Sequence, residues 1–190
     1  MGVGKVMPMS RRAVFLDRDG VLNEVVLRDG KPYPPASLSD LQIMPGAEEC
    51  LADLKRLGFL LIVITNQPDV ARGKQTKAAV EEMHSFLAGR LPIDETYVCY
   101  HDDADHCDCR KPAPGLLLEA ARKHGIELAE SFMIGDRWRD VEAGQRAGCK
   151  TVFINNGYAE KQPQIPPTFE ASSLRTAANW IIANASPAGT

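Results

Sequence analysis

The chain has 190 residues, 44% of them hydrophobic and 25% charged, the balance of an ordinary globular protein of one domain. A formal net charge of −3 leaves no basic surplus for general nucleic-acid binding, and no run approaches the roughly 20 apolar residues of a membrane span. Five cysteines, three of them within residues 99–109, suit a metal site in a reducing compartment such as the cytoplasm better than a disulfide framework.

Residues 1–11 carry charge without an apolar core, so they read as a flexible tail rather than a secretory signal. Residues 12–184 are expected to form the single domain, and 185–190 a disordered end. The apolar run Ala13–Leu16 stops on Asp17-Arg18-Asp19-Gly20. A buried strand that ends on acids places them at the carboxyl edge of a sheet, where open α/β folds bind ligands. Extended residues two apart point the same way, so Asp17 and Asp19 can face one ligand. Carboxylates this close repel each other unless a cation lies nearby.

Residues 24–45, with Gly30, Pro32, Pro34 and Pro35, are expected to form an irregular flap over that strand end. Ala47, Cys50, Leu51, Leu54 and Leu57 keep a helical stripe that Gly58 ends. Residues 59–64 read as a strand buried on both faces, running into Thr65, Asn66 and Gln67. After a loop at 68–74, a helix is expected over about 76–90, with Val80, Met83, Leu87 and Leu91 inward. His84 lies beside that stripe as a packing or surface residue. A third strand at 96–99 leads through a loop to a helix opened by Pro114, with Leu117, Leu118 and Ala121 inward and Gly125 at its end. A fourth strand at 132–134 stops on Gly135-Asp136. A helix through Val141, Ala143 and Ala147 precedes a fifth strand at 151–154. Residues 157–169 are polar and proline-rich, and a last amphipathic helix covers about 173–183.

Alternating strands and helices imply right-handed crossovers and a Rossmann-like α/β fold. The expected sheet is parallel, of about five strands, with helices on both faces and no large cap domain. Asp17, Asp19, Thr65, Asn66 and Asp136 then meet along one sheet edge, and Lys111, just before a helix, completes a phosphate site. Magnesium takes oxygen ligands and few protein carboxylates, which Asp17, Asp136 and a backbone carbonyl near Asp19 can supply. Thr65 and Lys111 suit a phosphate, with Asn66 beside them. Asp17 can attack phosphorus to give an aspartyl-phosphate, and Asp19 can protonate the leaving alkoxide and later activate water.

The pairs Cys99-x-His101 and Cys107-x-Cys109 each direct two side chains to one side of an extended segment. Folded together they make the tetrahedral Cys3His set of a closed structural zinc site, with His106 as a competing ligand. Asp102, Asp103, Asp105 and Asp108 read as solvated loop acids. Such a zinc would hold the loop that carries Arg110 and Lys111.

The segments FLDRDGVLN, VITNQ, RKPAPG and MIGDRWRDVEAG resemble, in order and spacing, the four motifs of the haloacid dehalogenase superfamily of phosphatases. The zinc-loop branch, which contains heptose bisphosphate and histidinol-phosphate phosphatases, is the most similar. The resemblance implies Asp17 as nucleophile, Asp19 as acid/base, and Thr65 with Lys111 on the phosphate. It implies magnesium at Asp17, the Asp19 carbonyl and Asp136, Asp140 in or near its outer shell, and Arg110 on the substrate. NQPDVARG is more like the heptose loop than the histidinol-phosphate loop, and Arg72 within it could meet a second anionic group. Pro68, Asp69, Tyr100 and Arg137 depart from the usual pattern at the rim. The implied activity is removal of the 7-phosphate of a heptose bisphosphate in activated-heptose synthesis for lipopolysaccharide core. The expected partner is a small sugar phosphate met by a monomer. A phospho-aspartate signalling domain would share the sheet, the acids, the threonine and the lysine, but it lacks a base two residues after its aspartate. A zinc-organised binding module would leave Asp17, Asp19 and Asp136 without a role.

Overall fold

The computed structural model describes residues 11–185, so the expectations for residues 1–10 and 186–190 lie outside the described residues. Arg11, assigned above to the tail, belongs to the body: its N–H donates to the Gly125 carbonyl at 3.2 Å and its carbonyl accepts from Glu127 at 2.8 Å. In chain order the elements are β1 (Ala13–Leu16), a hairpin of β2 (Val26–Arg28) and β3 (Lys31–Tyr33), α1 (Ala47–Arg56), β4 (Leu60–Asn66), α2 (Lys77–Ala88) and β5 (Glu95–Cys99). They continue with α3 (Gly115–His124), β6 (Phe132–Gly135), α4 (Trp138–Ala147), β7 (Lys150–Ile154), β8 (Phe169–Ala171) and α5 (Leu174–Asn184).

The main sheet is parallel and has six strands in the order β5-β4-β1-β6-β7-β8, one more than expected. The added strand, β8, is three residues long, too short to show a periodic pattern. Its approach is fixed by Thr151 and Thr168, each backbone N–H donating to the other's hydroxyl at 3.0 and 3.2 Å. From β1 the chain moves outward through β4 and β5, then returns to the opposite side of β1 for β6. Ligands bind at such a reversal, in the crevice beyond the strand ends, and Asp17 is the first residue past β1.

Strand residues alternate between two cores, as the two-residue side-chain period requires. Val14, Leu16, Leu61, Val63, Phe132 and Ile134 pack with α1, α2 and α5 on one face. Phe15, Ile62, Ile64 and Met133 pack with α3 and α4 on the other. Leu118 was expected inward but is 39% exposed, and Leu116 takes its place. Leu118 lies about 100° around the helix from Leu117, off the face that Leu117, Ala120 and Ala121 bury. Leu57 likewise lies past the end of α1 and is 37% exposed.

The flap is more regular than expected. Val26 pairs with Tyr33 and Arg28 with Lys31, and Asp29 and Gly30 turn between them with φ of 51° and 71°. An Asp-Gly pair with both residues at positive φ makes the tight turn that matches strand twist. Pro32 is tolerated because a two-stranded ribbon leaves one edge of each strand unpaired.

Helix α4 lies so close to the sheet that a Cβ on Gly144 would sit 2.7 Å from Met133 Cβ and 2.7 Å from Thr151 Cγ2. Gly144→Ala is therefore expected to lower unfolding stability by about 1–3 kcal/mol, the usual range for overpacking. Urea denaturation checks this, and an unchanged midpoint would show that α4 can move off the sheet freely.

Candidate active site

Asp17 is pinned by its N–H, which donates to the Ile134 carbonyl at 2.9 Å. Its Oδ1 accepts from Lys111 Nζ at 2.7 Å, and the same ammonium meets Asp140 Oδ1 at 2.6 Å and donates to the Ile64 carbonyl at 2.7 Å. Lys111 and Asp140 are almost fully buried. Burial alone would discharge the lysine, but Asp140 and Asp17 outweigh it and raise its pKa. Burial and the neighbouring Asp140 push Asp17 up to about 6, against the pull of Lys111. Asn66 positions the lysine: its amide donates to the Lys111 carbonyl at 3.0 Å and accepts from the Lys111 N–H at 3.1 Å. Asn66 was expected to bind substrate. It lines the cavity, but its amide is committed to this peptide.

Asp19 is held by five donated hydrogen bonds. Arg18 gives three at 2.9–3.1 Å, Asn23 one at 3.0 Å and Gln67 one at 2.8 Å. Burial raises its pKa, but the Arg18 guanidinium and these bonds more than offset that, and the net shift is downward. Arg18 is completely buried and was not anticipated as a site residue. Its signal in the sequence was only its place between the two aspartates. Thr65, at the end of β4, is buried, and its hydroxyl accepts from Gln67 at 2.9 Å. Gln67 thus ties Thr65 to Asp19.

A magnesium site can be tested on the acids themselves. Carboxylate oxygens of Asp17, Asp136 and Asp140 lie within 4.8 Å of one another. Burial, then Asp17 and Asp140, drive the pKa of Asp136 well up. Asp136 Oδ1 is buried without a hydrogen-bond partner among the described residues, an arrangement that costs free energy unless a cation satisfies it. The other oxygen, Oδ2, accepts from Tyr158 Oη at 2.8 Å and from Asn156 Nδ2 at 3.3 Å. Tyr158, in the polar and proline-rich segment, and Asn156 just before it were not anticipated. The turn that brings Asp19 past Asp136 requires glycine: Gly20 has φ of 82°, and a Cβ there would lie 1.8 Å from Asp136 Oδ2. Three carboxylates against one ammonium fit a divalent cation. Asp140, expected in or near the outer shell, lies in the same cluster and pairs with Lys111.

Cys99, His101, Cys107 and Cys109 come together as a second group, and His106 is not part of it. His106 instead takes a left-handed conformation at φ 47°, which turns the loop back toward Cys107. Sγ separations are 2.9–3.7 Å, and His101 Nδ1 lies 3.2 Å from Cys109 Sγ and 3.6 Å from Cys99 Sγ. A tetrahedron built on Zn–S bonds of about 2.3 Å has edges near ~3.7 Å, so the set is compact enough to hold zinc. Burial and the neighbouring thiols raise the Cys109 pKa, as expected of a crowded thiol cluster that calls for a cation. Two of the loop acids, solvent-accessible as expected, are also paired. Asp102 accepts from Arg72 at 2.5 and 2.7 Å, and Asp103 accepts from Arg110 at 2.8 Å and Arg139 at 3.2 Å.

Above the acids opens a cavity of about 250 Å3 whose lining includes Asp17, Asp19, Lys111, Arg110, Arg72 and Lys31. Arg72 and Arg110 stand on its rim as expected, but each already holds a loop acid. The other rim arginines are also taken: Arg137 pairs with Glu160, and Arg139 with Asp103. Lys31 and Lys74 line the same cavity, and neither ammonium is paired with a carboxylate among the described residues.

The Hydrolase_like family model, described as HAD-hydrolase-like, matches residues 108–177. A D-glycero-beta-D-manno-heptose-1,7-bisphosphate 7-phosphatase of Helicobacter pylori strain J99 is 34% identical over 181 residues, spanning 92% of this chain and 99% of the relative. One from Photorhabdus laumondii is 39% identical over 158 residues, spanning 76% of this chain and 81% of the relative. A solved D,D-heptose 1,7-bisphosphate phosphatase from B. bronchiseptica, complexed with magnesium and phosphate, matches with a TM-score of 0.74 at 27% identity. That match covers 92% of this chain and 99% of the solved one. On this sequence likeness, and with a matching fold, the chain belongs to the D-glycero-beta-D-manno-heptose-1,7-bisphosphate 7-phosphatase family of HAD-like hydrolases.

Proposed function

We propose that this protein is a magnesium-dependent phosphomonoesterase that hydrolyses the 7-phosphate of D-glycero-D-manno-heptose 1,7-bisphosphate through an aspartyl-phosphate on Asp17. The observation that carries the reading is the buried Asp17–Lys111–Asp140 triad beside Asp136, on the floor of a cavity rimmed with cations. Asp17, Asp136 and the Asp19 carbonyl would hold magnesium, with Asp140 beside them. When bound, the ion supplies charge neutralisation for the incoming phosphate. Relatives named as heptose bisphosphate phosphatases, and a solved one containing magnesium and phosphate, support the assignment.

The Asp17 carboxylate attacks phosphorus, and Lys111 fixes its orientation while countering the charge that gathers on the phosphoryl oxygens. The bond from phosphorus to the sugar oxygen breaks, and Asp19, ionised at rest, gives that oxygen a proton that it takes up from solvent as the negative phosphate arrives beside it. Asp19, now ionised, takes a proton from water. The resulting hydroxide displaces phosphate from Asp17 and restores both carboxyl groups. Asp19 supplies the base that keeps the phosphoenzyme short-lived, unlike a phospho-aspartate signalling domain. The site is assembled from one chain, in keeping with a monomer of a single domain.

Zinc at Cys99, His101, Cys107 and Cys109 is read as structural. It would stiffen the loop that ends in Arg110 and Lys111, and reduced thiolates suit the cytoplasm. Among the described residues, no helix is long and apolar enough to cross a membrane. For the second phosphate of the substrate, the unpaired Lys31 and Lys74 are better placed than Arg72, whose guanidinium is held by Asp102.

Asp17→Asn is expected to abolish phosphate release while leaving the melting temperature within a few degrees of wild type; an active variant would overturn the mechanism. Cys107→Ser is expected to reduce zinc content measured by mass spectrometry and to lower kcat, and full zinc occupancy would exclude this ligand set. Lys31→Ala with Lys74→Ala is expected to raise KM for the bisphosphate about tenfold or more, since a charge-assisted hydrogen bond is worth ~1.5–3 kcal/mol. The KM for a heptose 7-monophosphate should stay unchanged. Equal effects on both substrates would show that the lysines do not read the second phosphate.

A further inference from the structure

Arg18 is 0% exposed, and its guanidinium has two sets of partners. Nε and Nη2 face the Asp19 carboxylate, while Nη1 lies 3.1 Å from His84 Nε2 on α2. Burial first, and the Arg18 charge second, bring the His84 pKa down to about 4, so the ring is neutral at pH 7. With Arg18 a permanent donor, the neutral Nε2 must be the acceptor, which places the ring proton on Nδ1. A buried guanidinium left with an unsatisfied N–H is costly, and the planar fork lets it rotate toward any other acceptor in reach. The acceptor already within its reach is the Asp19 carboxylate, which Nε and Nη2 face.

We propose that His84 is a positioning residue for the acid/base step: it occupies Nη1 of Arg18, fixes the guanidinium plane, and so aims Asp19 at the sugar oxygen. This inference rests on Asp19 being the acid/base of the proposed phosphatase. The step concerned is the first one, in which the Asp17–phosphorus bond forms and the phosphorus–oxygen bond to the sugar breaks. The departing alkoxide takes the Asp19 proton. An alkoxide leaving group needs that proton in the transition state, whereas a dinitrophenolate leaves without it. A misaimed Asp19 therefore slows transfer from a sugar phosphate and not from a dinitrophenyl phosphate. A general distortion of the site slows both.

The test is single-turnover formation of phosphoenzyme, followed with heptose 1,7-bisphosphate and with 2,4-dinitrophenyl phosphate, in wild type, His84→Leu and His84→Gln. Leucine fills similar space without an acceptor, and glutamine offers its Oε1 to Arg18. The expected result is a roughly tenfold or greater slowing for His84→Leu with the sugar phosphate, within the ~10²–10⁴-fold that a positioned acid contributes. The aryl ester should change less than about twofold, on the ground that its leaving group needs no acid, and His84→Gln should restore the sugar-phosphate rate. Equal slowing with both esters, no slowing with either, or no recovery by glutamine would overturn the proposal. His84→Ala carries the same comparison where the leucine variant does not fold. Wild type forming no phosphoenzyme from either ester would instead remove the phosphatase reading beneath it.

Discussion

The contact on which the rest of this structure depends is the ammonium of Lys111, enclosed by Asp17, Asp140 and the Ile64 carbonyl. A buried charge is tolerable only when it is paired and fully hydrogen-bonded, and all three of its donors are used. The pairing reaches across the whole chain: Asp17 follows β1, Ile64 lies in β4, and Asp140 is in α4. Lys111 sits on the loop between β5 and α3. One side chain thereby draws both cores and the sheet edge to a common point.

That demand explains the form of the loop at 99–111. A loop of this length is flexible by default, yet it must deliver one ammonium to within hydrogen-bond distance of Asp17. Two independent devices hold it. The Cys3His group closes it on itself, and Asn66 clasps the Lys111 peptide from the end of β4. The acids of the loop reach outward to Arg72, Arg110 and Arg139, so the same segment also arranges the rim of the cavity. Most rim charge is neutralised internally, which leaves lysines rather than arginines to act at long range on an incoming anion.

Much of this was legible in the sequence, because apolar runs that stop on acids place those acids at a strand end. Asp17, Asp19, Thr65 and Asp136 came from that pattern, and Cys99, His101, Cys107 and Cys109 from their spacing. What was not legible has specific causes. Strand β8 is three residues long and is located by a threonine pair that no local pattern announces. The β2–β3 hairpin carried the Asp29-Gly30 turn signal, but three nearby prolines masked it. Arg18 looks like a surface residue between two acids, and only the packing of α2 over it shows a buried cation. The roles of Tyr158, Asn156 and His84 depend on approaches between segments far apart in the chain, which periodicity does not encode.

Strand β1 is only four residues long and is hydrogen-bonded on both sides, to β4 around residues 60–63 and to β6 around residues 132–134. Its partners lie about 47 and 118 positions downstream, as the pairs Ala13↔Leu60 and Val14↔Phe132 show. A pairing of such high sequence separation is slow to form, because the loops must close before the contact repays them. During synthesis Asp17 emerges long before these partners, and it gains its seat only once β6 and α4 have followed. Recovery of turnover during refolding is thus a late event, and it reports assembly of the entire sheet centre rather than of any local segment.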